Sequence, residues 1–227
     1  MELFDRLPLE LDAEDVIRSA HLTDAGDDIA AQVRELVAAA RHLACPKAVV
    51  EVGYVENRRE GAVDIGGVSF TSRILRANLE DVERVFVYVA TCGRELDEVP
   101  VPAGDFLLDY CRDLIKAQAL AAAMRHLGQH LTDKYALGKT SGMNPGSLED
   151  WPITEQIPLF SIFGDVEEVI GVTLTDSCLM IPNKSLSGIT YATEASFTSC
   201  QLCPRGICSG RRAPFDPELA TTYGVTT

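Results

Sequence analysis

From Asp27 to Leu43 the apolar residues Ile29, Val33, Leu36, Val37 and Ala40 recur at the spacing that places them on one face of a helix. Asp12-Ala13-Glu14-Asp15 opens a shorter helical pattern ahead of it. A longer pattern runs from Phe106 to about Leu131 through Leu107, Leu108, Leu114, Ile115, Ala119, Ala122, Ala123 and Leu127, and its alanine content predicts a central buried helix. Between these helices the period changes. Lys47 to Tyr54, Val63 to Phe70 and Arg84 to Ala90 are rich in valine and predict the strands of a small sheet. Gly66-Gly67 inside the second run marks either a bulge or a turn.

Past Leu131 the composition shifts. Ser141-Gly142-Met143-Asn144-Pro145-Gly146-Ser147 gathers turn formers and leads into Leu148-Glu149-Asp150-Trp151-Pro152, a loop of the kind found at surfaces and sites. Thr154 to Phe163 predicts a short helix and Gly171 to Thr175 a strand. Leu179 to Ile189 reads as a loop that passes into a strand ending at Tyr191. The order of elements predicts an α+β fold rather than a regular doubly wound sheet. No linker rich in proline, glycine or serine divides the chain. One body is expected over 1–197, helical over 1–43, followed by a cysteine-rich tail over 198–227.

Of the 227 residues 46% are hydrophobic and 24% charged, enough to build a core. Lys plus Arg number 20 against 34 Asp plus Glu, a net charge of -14 that argues against nucleic acid or an anionic membrane as partner. Cationic or neutral partners suit such a chain. The start Met1-Glu2-Leu3-Phe4-Asp5 lacks a basic region before an apolar one, and no apolar run reaches the ~18 residues of a membrane span, so a cytoplasmic location is expected.

The most specific local signal is Cys200-x2-Cys203-x4-Cys208, part of an odd set of seven cysteines. Thiolates at this spacing converge on one soft metal, and a structural zinc and an iron-sulfur cluster both fit the pattern. Cys178, Cys92, Cys111 and Cys45 are the candidates for a further ligand, with free thiols as the competing reading. Arg205, Arg211 and Arg212 form a basic island that either favours the thiolates, meets an anionic partner or pairs with neighbouring acids. His126 and His130 have metal-ligand spacing, but without an HExxH pattern they read as residues that complement a helix end.

A second constellation combines Asn144-Pro145-Gly146-Ser147 with Lys184-Ser185-Leu186-Ser187-Gly188, where small residues let a ligand approach the backbone and Lys184 offers a point charge. No GxGxxG, P-loop, GxSxG or HExxH motif is present, which removes the mechanical basis for dinucleotide oxidoreductase, P-loop ATPase, α/β-hydrolase and zincin chemistry. Glu149 and Asp150 beside Trp151 read in two ways: an electrostatic and cation-π seat for a sulfonium, or an acidic turn over a buried tryptophan.

In order along the chain stand Thr91-Cys92-Gly93-Arg94-Glu95-Leu96, Asn144-Pro145-Gly146-Ser147 before Asp150-Trp151-Pro152 and Gln156, Ile170-Gly171-Val172-x-Leu174-Thr175, and Met180-x-Pro182-x-Lys184-Ser185-x-Ser187-Gly188. This order resembles the reactivation domain of cobalamin-dependent methionine synthase and its small stand-alone relatives of anaerobic microbes, over roughly residues 40 to 197. The resemblance implies a twisted antiparallel sheet with flanking helices and a shallow groove for S-adenosylmethionine. It implies an accessory role in restoring methylcobalamin from cob(II)alamin, with the methyl group taken from S-adenosylmethionine. The groove would be lined by Asn144, Pro145, Gly146, Ser147, Glu149, Lys184, Ser185, Ser187 and Gly188, with no catalytic acid or base. Gly142 and Ser147 stand near the places where the family has an arginine and a tyrosine.

The implied partner is a separate cobalamin-dependent methyltransferase or corrinoid protein, with a flavodoxin or ferredoxin as electron donor. The cysteine tail lies outside the resemblance, and Cys200, Cys203 and Cys208 with Cys178 are expected to hold an iron-sulfur cluster or zinc. The rival readings are a non-enzymatic corrinoid-protein adaptor with a structural zinc, an iron-sulfur electron-transfer activator that does not use S-adenosylmethionine, and a methyltransferase acting on another substrate.

Overall fold

The structure is a computed structural model and describes residues 1–194, 197–208 and 211–225. Its frame is an antiparallel seven-stranded sheet of order β4-β3-β2-β5-β9-β6, with β1 paired to β2 off this path. The strands are β1 (Glu2–Phe4), β2 (Lys47–Arg59), β3 (Ala62–Ile65), β4 (Val68–Thr71), β5 (Arg84–Thr91), β6 (Thr140–Met143) and β9 (Ser185–Ala192). A separate hairpin joins β7 (Thr173–Leu174) to β8 (Met180–Ile181). The helices are α1 (Ala13–Ser19), α2 (Asp27–Leu43), α3 (Arg73–Asn78), α4 (Phe106–Tyr135), α5 (Gln156–Ser161), α6 (Val166–Ile170) and α7 (Pro217–Thr222). This is the expected α+β class, a curled antiparallel sheet with flanking helices.

β5 is buried along nearly its whole length because both faces of the sheet are covered. Phe86, Tyr88 and Ala90 meet Ala123, Leu127 and Leu131 of α4 on one face. Val85, Val87 and Val89 join Trp151, Leu75 of α3, Leu159 of α5 and Ile170 of α6 on the other. A third apolar cluster ties α1 and α2 to the first half of α4. α4 buries Leu108, Cys111, Ile115, Ala119, Leu127 and Leu131 along one stripe and leaves its far side in solvent, so it covers the sheet from outside. Its end is tied to β1 by Glu2, which lies 3.0 Å from His130 Nε2 and 2.7 Å from Lys134 Nζ. His126 is exposed, whereas His130 is engaged by Glu2 and packed edge-on against Phe4.

Several sequence expectations change. Val63 to Phe70 is a hairpin of β3 and β4, and Gly66-Gly67 is its turn, with positive φ at both residues as a two-residue hairpin requires. Thr140–Met143, expected as loop, is a strand because the end of β9 pairs with it. The helix expected from Thr154 begins as a 3-10 turn over Ile153–Glu155 and continues as α5. The Gly171 to Thr175 strand shrinks to β7, outside the main sheet.

The cysteine tail packs on the sheet. Its 3-10 helix Ser199–Leu202 places Leu202 in the same core cluster as β5 and β9, and Ala220 of α7 joins it. Tyr223 Oη donates to Asn78 Oδ1 at 3.1 Å, which fastens the end of the tail to α3. Among the described residues no helix is long and apolar enough to cross a membrane.

Candidate functional site

Where β6 ends, Asn144 takes over its position beside β9. Asn144 Nδ2 donates to Ser187 O at 2.7 Å and to Tyr88 Oη at 2.8 Å, joining the edge of the sheet to its centre. Gly188 makes this possible: a Cβ there would fall on Asn144 Nδ2, 2.6 Å from Met143 O and 2.9 Å from Tyr88 Oη. The glycine thus admits protein atoms. Burial pushes the Tyr88 phenol up against the opposing effect of Asn144, so it remains neutral and accepts the amide hydrogen bond. Ser187 is buried, and its Oγ has no hydrogen-bond partner among the described residues.

Beyond Asn144 the chain turns tightly. Pro145 is buried, Ser147 N–H donates to Asn144 O at 3.1 Å, and Gly146 at positive φ donates its N–H to Trp151 O at 2.8 Å. Trp151 is fully buried and meets Phe70 edge to face at 6.2 Å. Asp150 is committed to α3: its Oδ1 accepts from Ser72 Oγ at 2.5 Å and Ile74 N–H at 2.8 Å, and its Oδ2 from Arg73 Nε at 3.2 Å. Burial of Trp151 removes its indole as a cation-π face and the α3 contacts commit Asp150. Glu149 remains exposed.

Loop and tail enclose a cavity of about 410 Å³. Ser147, Leu148 and Glu149 form one wall, Arg73 and Ile74 of α3 another, and Leu202, Cys203 and Pro204 of the tail a third. Two constellations that are separate in sequence therefore meet. They meet because Gly142 of β6 bridges Thr198 and because Phe197 N–H donates to Ser141 Oγ at 2.9 Å, laying the tail along the edge of the sheet.

Lys184 and Ser185 lie elsewhere. They stand at the start of β9, where Ser185 opposes Thr91, while Gly188 opposes Tyr88 further along. Lys184 Nζ is 2.7 Å from Asp113 Oδ2 of α4, and Asn183 Nδ2 donates to Asp113 Oδ1 at 3.2 Å. Burial pushes the Asp113 carboxyl up, but these two hydrogen bonds outweigh it and hold it below the usual carboxylate range. Ser185 Oγ donates toward Thr91 Oγ1 at 2.9 Å and Pro182 O at 2.8 Å. Neither residue lines the cavity.

Among the described residues no three His, Cys, Asp or Glu side chains are grouped to hold a metal ion. Cys178 is buried near the β7–β8 hairpin, Cys200 and Cys203 flank the end of the tail's 3-10 helix, and Cys208 is exposed on the loop beyond. Among the described residues Cys178, Cys200, Cys203 and Cys208 are therefore not drawn together as one ligand shell. Arg205, Arg211 and Arg212 form no ion pair among the described residues, so neighbouring acids do not neutralise the basic island. Arg211 is spent on main-chain carbonyls: Nη1 donates to Cys200 O and Ala213 O, and Nη2 to Cys203 O and Arg205 O.

Tyr88, Asp113 and Arg73 carry the geometry of this region and escape a reading by motif, while Arg211, read as part of a basic island, acts on carbonyls instead of on thiolates or an anionic partner. Each works through a partner distant in sequence or through a backbone carbonyl, and neither leaves a local pattern. No family model and no curated protein matches the chain. Among solved structures it is similar to the crystal structure of the MetH reactivation domain bound to AdoHcy, with a TM-score of 0.56 and 15% identity, over 82% of this chain and 67% of that one. At that identity the likeness shows the fold: this chain has the architecture of a MetH reactivation domain.

Proposed function

We propose that the chain takes S-adenosylmethionine, and its product S-adenosylhomocysteine, in the cleft between the 144–151 loop and the tail. It would serve there as a reactivation component for a separate cobalamin-dependent methyltransferase or corrinoid protein. The observation that carries this reading is the fold likeness, over 82% of the chain, to a domain seen with AdoHcy. The cavity of about 410 Å³ supports it, since ligand sites commonly span ~300–1,000 Å³.

Residues of the chain have positioning roles in this reading. Glu149 is an exposed carboxylate on the wall of an otherwise mixed cavity and sets a negative charge where a sulfonium would lie. Asn144, Pro145 and Gly146 fix the loop, and Ser187 and Gly188 seat Asn144, so these residues act through the backbone rather than as acids or bases. Methyl transfer needs neither, because a sulfonium is already a good leaving group. The S–CH3 bond would break with S-adenosylhomocysteine leaving as a neutral thioether, and the partner's cobalamin, reduced beforehand by one electron from a flavodoxin or ferredoxin, would supply the nucleophile.

Calorimetry with S-adenosylhomocysteine and S-adenosylmethionine tests the ligand. Binding in the micromolar range is expected, and a Kd of ~1 µM corresponds to about -8 kcal/mol. Absence of heat with both ligands removes the cleft assignment. Mixing the chain anaerobically with a cob(II)alamin-loaded corrinoid protein, reductant and S-adenosylmethionine tests the role, with methylcobalamin formation read by absorbance. A rate unchanged by the chain counts against reactivation.

A further inference from the structure

Cys200 and Cys203 are placed for chemistry of their own. Thr198 and Gln201 close a capping box on the 3-10 helix that contains Cys200 and is capped by Cys203, and Cys203 N–H donates to Cys200 O at 3.3 Å, so one tight turn separates the two residues. In such a turn positions i and i+3 eclipse, and their Cα atoms lie within ~7 Å, overlapping the ~4.4–6.8 Å that a disulfide spans. The Arg211 guanidinium grips both carbonyls, Cys200 O at 3.1 Å and Cys203 O at 3.2 Å, and fixes the turn against the returning loop.

That returning loop also points a donor at sulfur. Arg212 N–H lies 3.4 Å from Cys200 Sγ. Cys200 Sγ thus accepts a backbone hydrogen bond, a contact that suits the attacking sulfur of an exchange reaction. Cys92, Cys111 and Cys178 are by contrast buried, which closes them to a disulfide in solution. Cys203 is half-buried on the cavity wall, beside Pro204.

We propose that Cys200 and Cys203 form a redox-active dithiol on the wall of the cleft, with Cys200 as the attacking thiolate and Cys203 as the resolving thiol. The co-reactant is a low-molecular-weight disulfide. Cys200 Sγ attacks one of its sulfurs, the S–S bond breaks, one small thiolate leaves, and a mixed disulfide stands on Cys200. Cys203, giving up its proton to solvent, then attacks Cys200 Sγ and expels the second small thiolate. The protein dithiol loses two electrons, and the small disulfide gains them as two thiols. This pair is independent of which ligand fills the cleft.

The test uses the full chain with oxidised glutathione as probe, followed by peptide mapping without reduction. A Cys200–Cys203 disulfide is expected, with Cys45, Cys92, Cys111 and Cys178 left reduced. In Cys203→Ser one glutathione should remain on Cys200, and in Cys200→Ser modification of Cys203 should slow by about tenfold or more. Wild-type protein needs no variant: iodoacetamide should label Cys200 and Cys203 before oxidation and neither of them after it. Pairing of Cys200 with Cys208, even labelling of all cysteines, or stoichiometric zinc or iron that blocks oxidation until chelated would each overturn the proposal.

Discussion

Gly188→Ala tests the contact on which the loop of the cleft depends. An added methyl there meets Asn144 Nδ2, Met143 O at 2.6 Å and Tyr88 Oη at 2.9 Å, all below the contact distance of a real Cβ. Met143 O cannot retreat freely, because Met143 opposes Ile189 in the β6–β9 pairing. Asn144 can move, at the expense of its hydrogen bonds to Ser187 O and Tyr88 Oη. Overpacking costs about 1–3 kcal/mol and each lost hydrogen bond about 0.5–1.5 kcal/mol. Because relaxation of one relieves the other, we expect a loss of about 2–4 kcal/mol rather than the full sum. Urea denaturation followed by circular dichroism reads this as a lower midpoint at unchanged slope. The double variant Asn144→Gly, Gly188→Ala should recover part of the loss relative to the additive expectation. A single-variant change under about 0.5 kcal/mol, with the double variant additive, would refute the crowded contact.

Lys184→Ala should leave S-adenosylhomocysteine affinity within about twofold by calorimetry and lower stability by about 0.5 kcal/mol, the scale of a partly exposed ion pair to Asp113. A tenfold loss of affinity would move Lys184 into the site. Stability should also fall in acid. The Lys134 hydrogen bond, with help from His130 and Tyr135 and against burial, holds the Glu2 carboxyl below its ordinary value. A depressed folded pKa stabilises above the unfolded value of ~4.3 and ceases to do so as pH falls through the folded value. The stability gap between wild type and Glu2→Gln should therefore be widest near neutral pH and close below about pH 4, and a gap independent of pH would remove the assignment.

Much of the frame was legible because its elements are long and periodic: α2 and α4 show their apolar faces, and β2 and β5 their valine runs. What escaped is held by partners far away in sequence. β6 contains Ser141 and Gly142, weak strand formers on their own, and is a strand because β9 pairs with it. α3 is only six residues long, and the acid that supports its start, Asp150, comes from the loop of the cleft. The site divides in the same way. Sequence reasoning found the loop, but it grouped Lys184 with Asn144 because both occur in small-residue segments, and only the strand register separates them. Convergence of loop and tail was invisible, since it rests on Gly142 bridging Thr198 across the edge of the sheet.

Net charge gives a different lesson. The total of -14 is a property of the whole surface, whereas charges farther than a Debye length of ~8 Å are largely screened at physiological salt. The cleft is governed by the few groups around it. Asp150 is already paired with Arg73, which leaves exposed Glu149 as the carboxylate of the loop wall. On the tail side Arg211 and Arg212 surround Cys200 without a carboxylate partner among the described residues. The charges that line the cleft are therefore Glu149 and the Asp150–Arg73 pair, and Arg211 and Arg212 are not among the lining residues. Exposed Glu149 beside the Asp150–Arg73 pair suits a ligand with a cationic centre, as the proposed sulfonium has. Arg211 and Arg212 act instead on the turn of the tail, Arg211 on the carbonyls of Cys200 and Cys203 and the Arg212 N–H on Cys200 Sγ, so the groups within a few ångströms, rather than the total charge of the chain, decide what each part of the region can do.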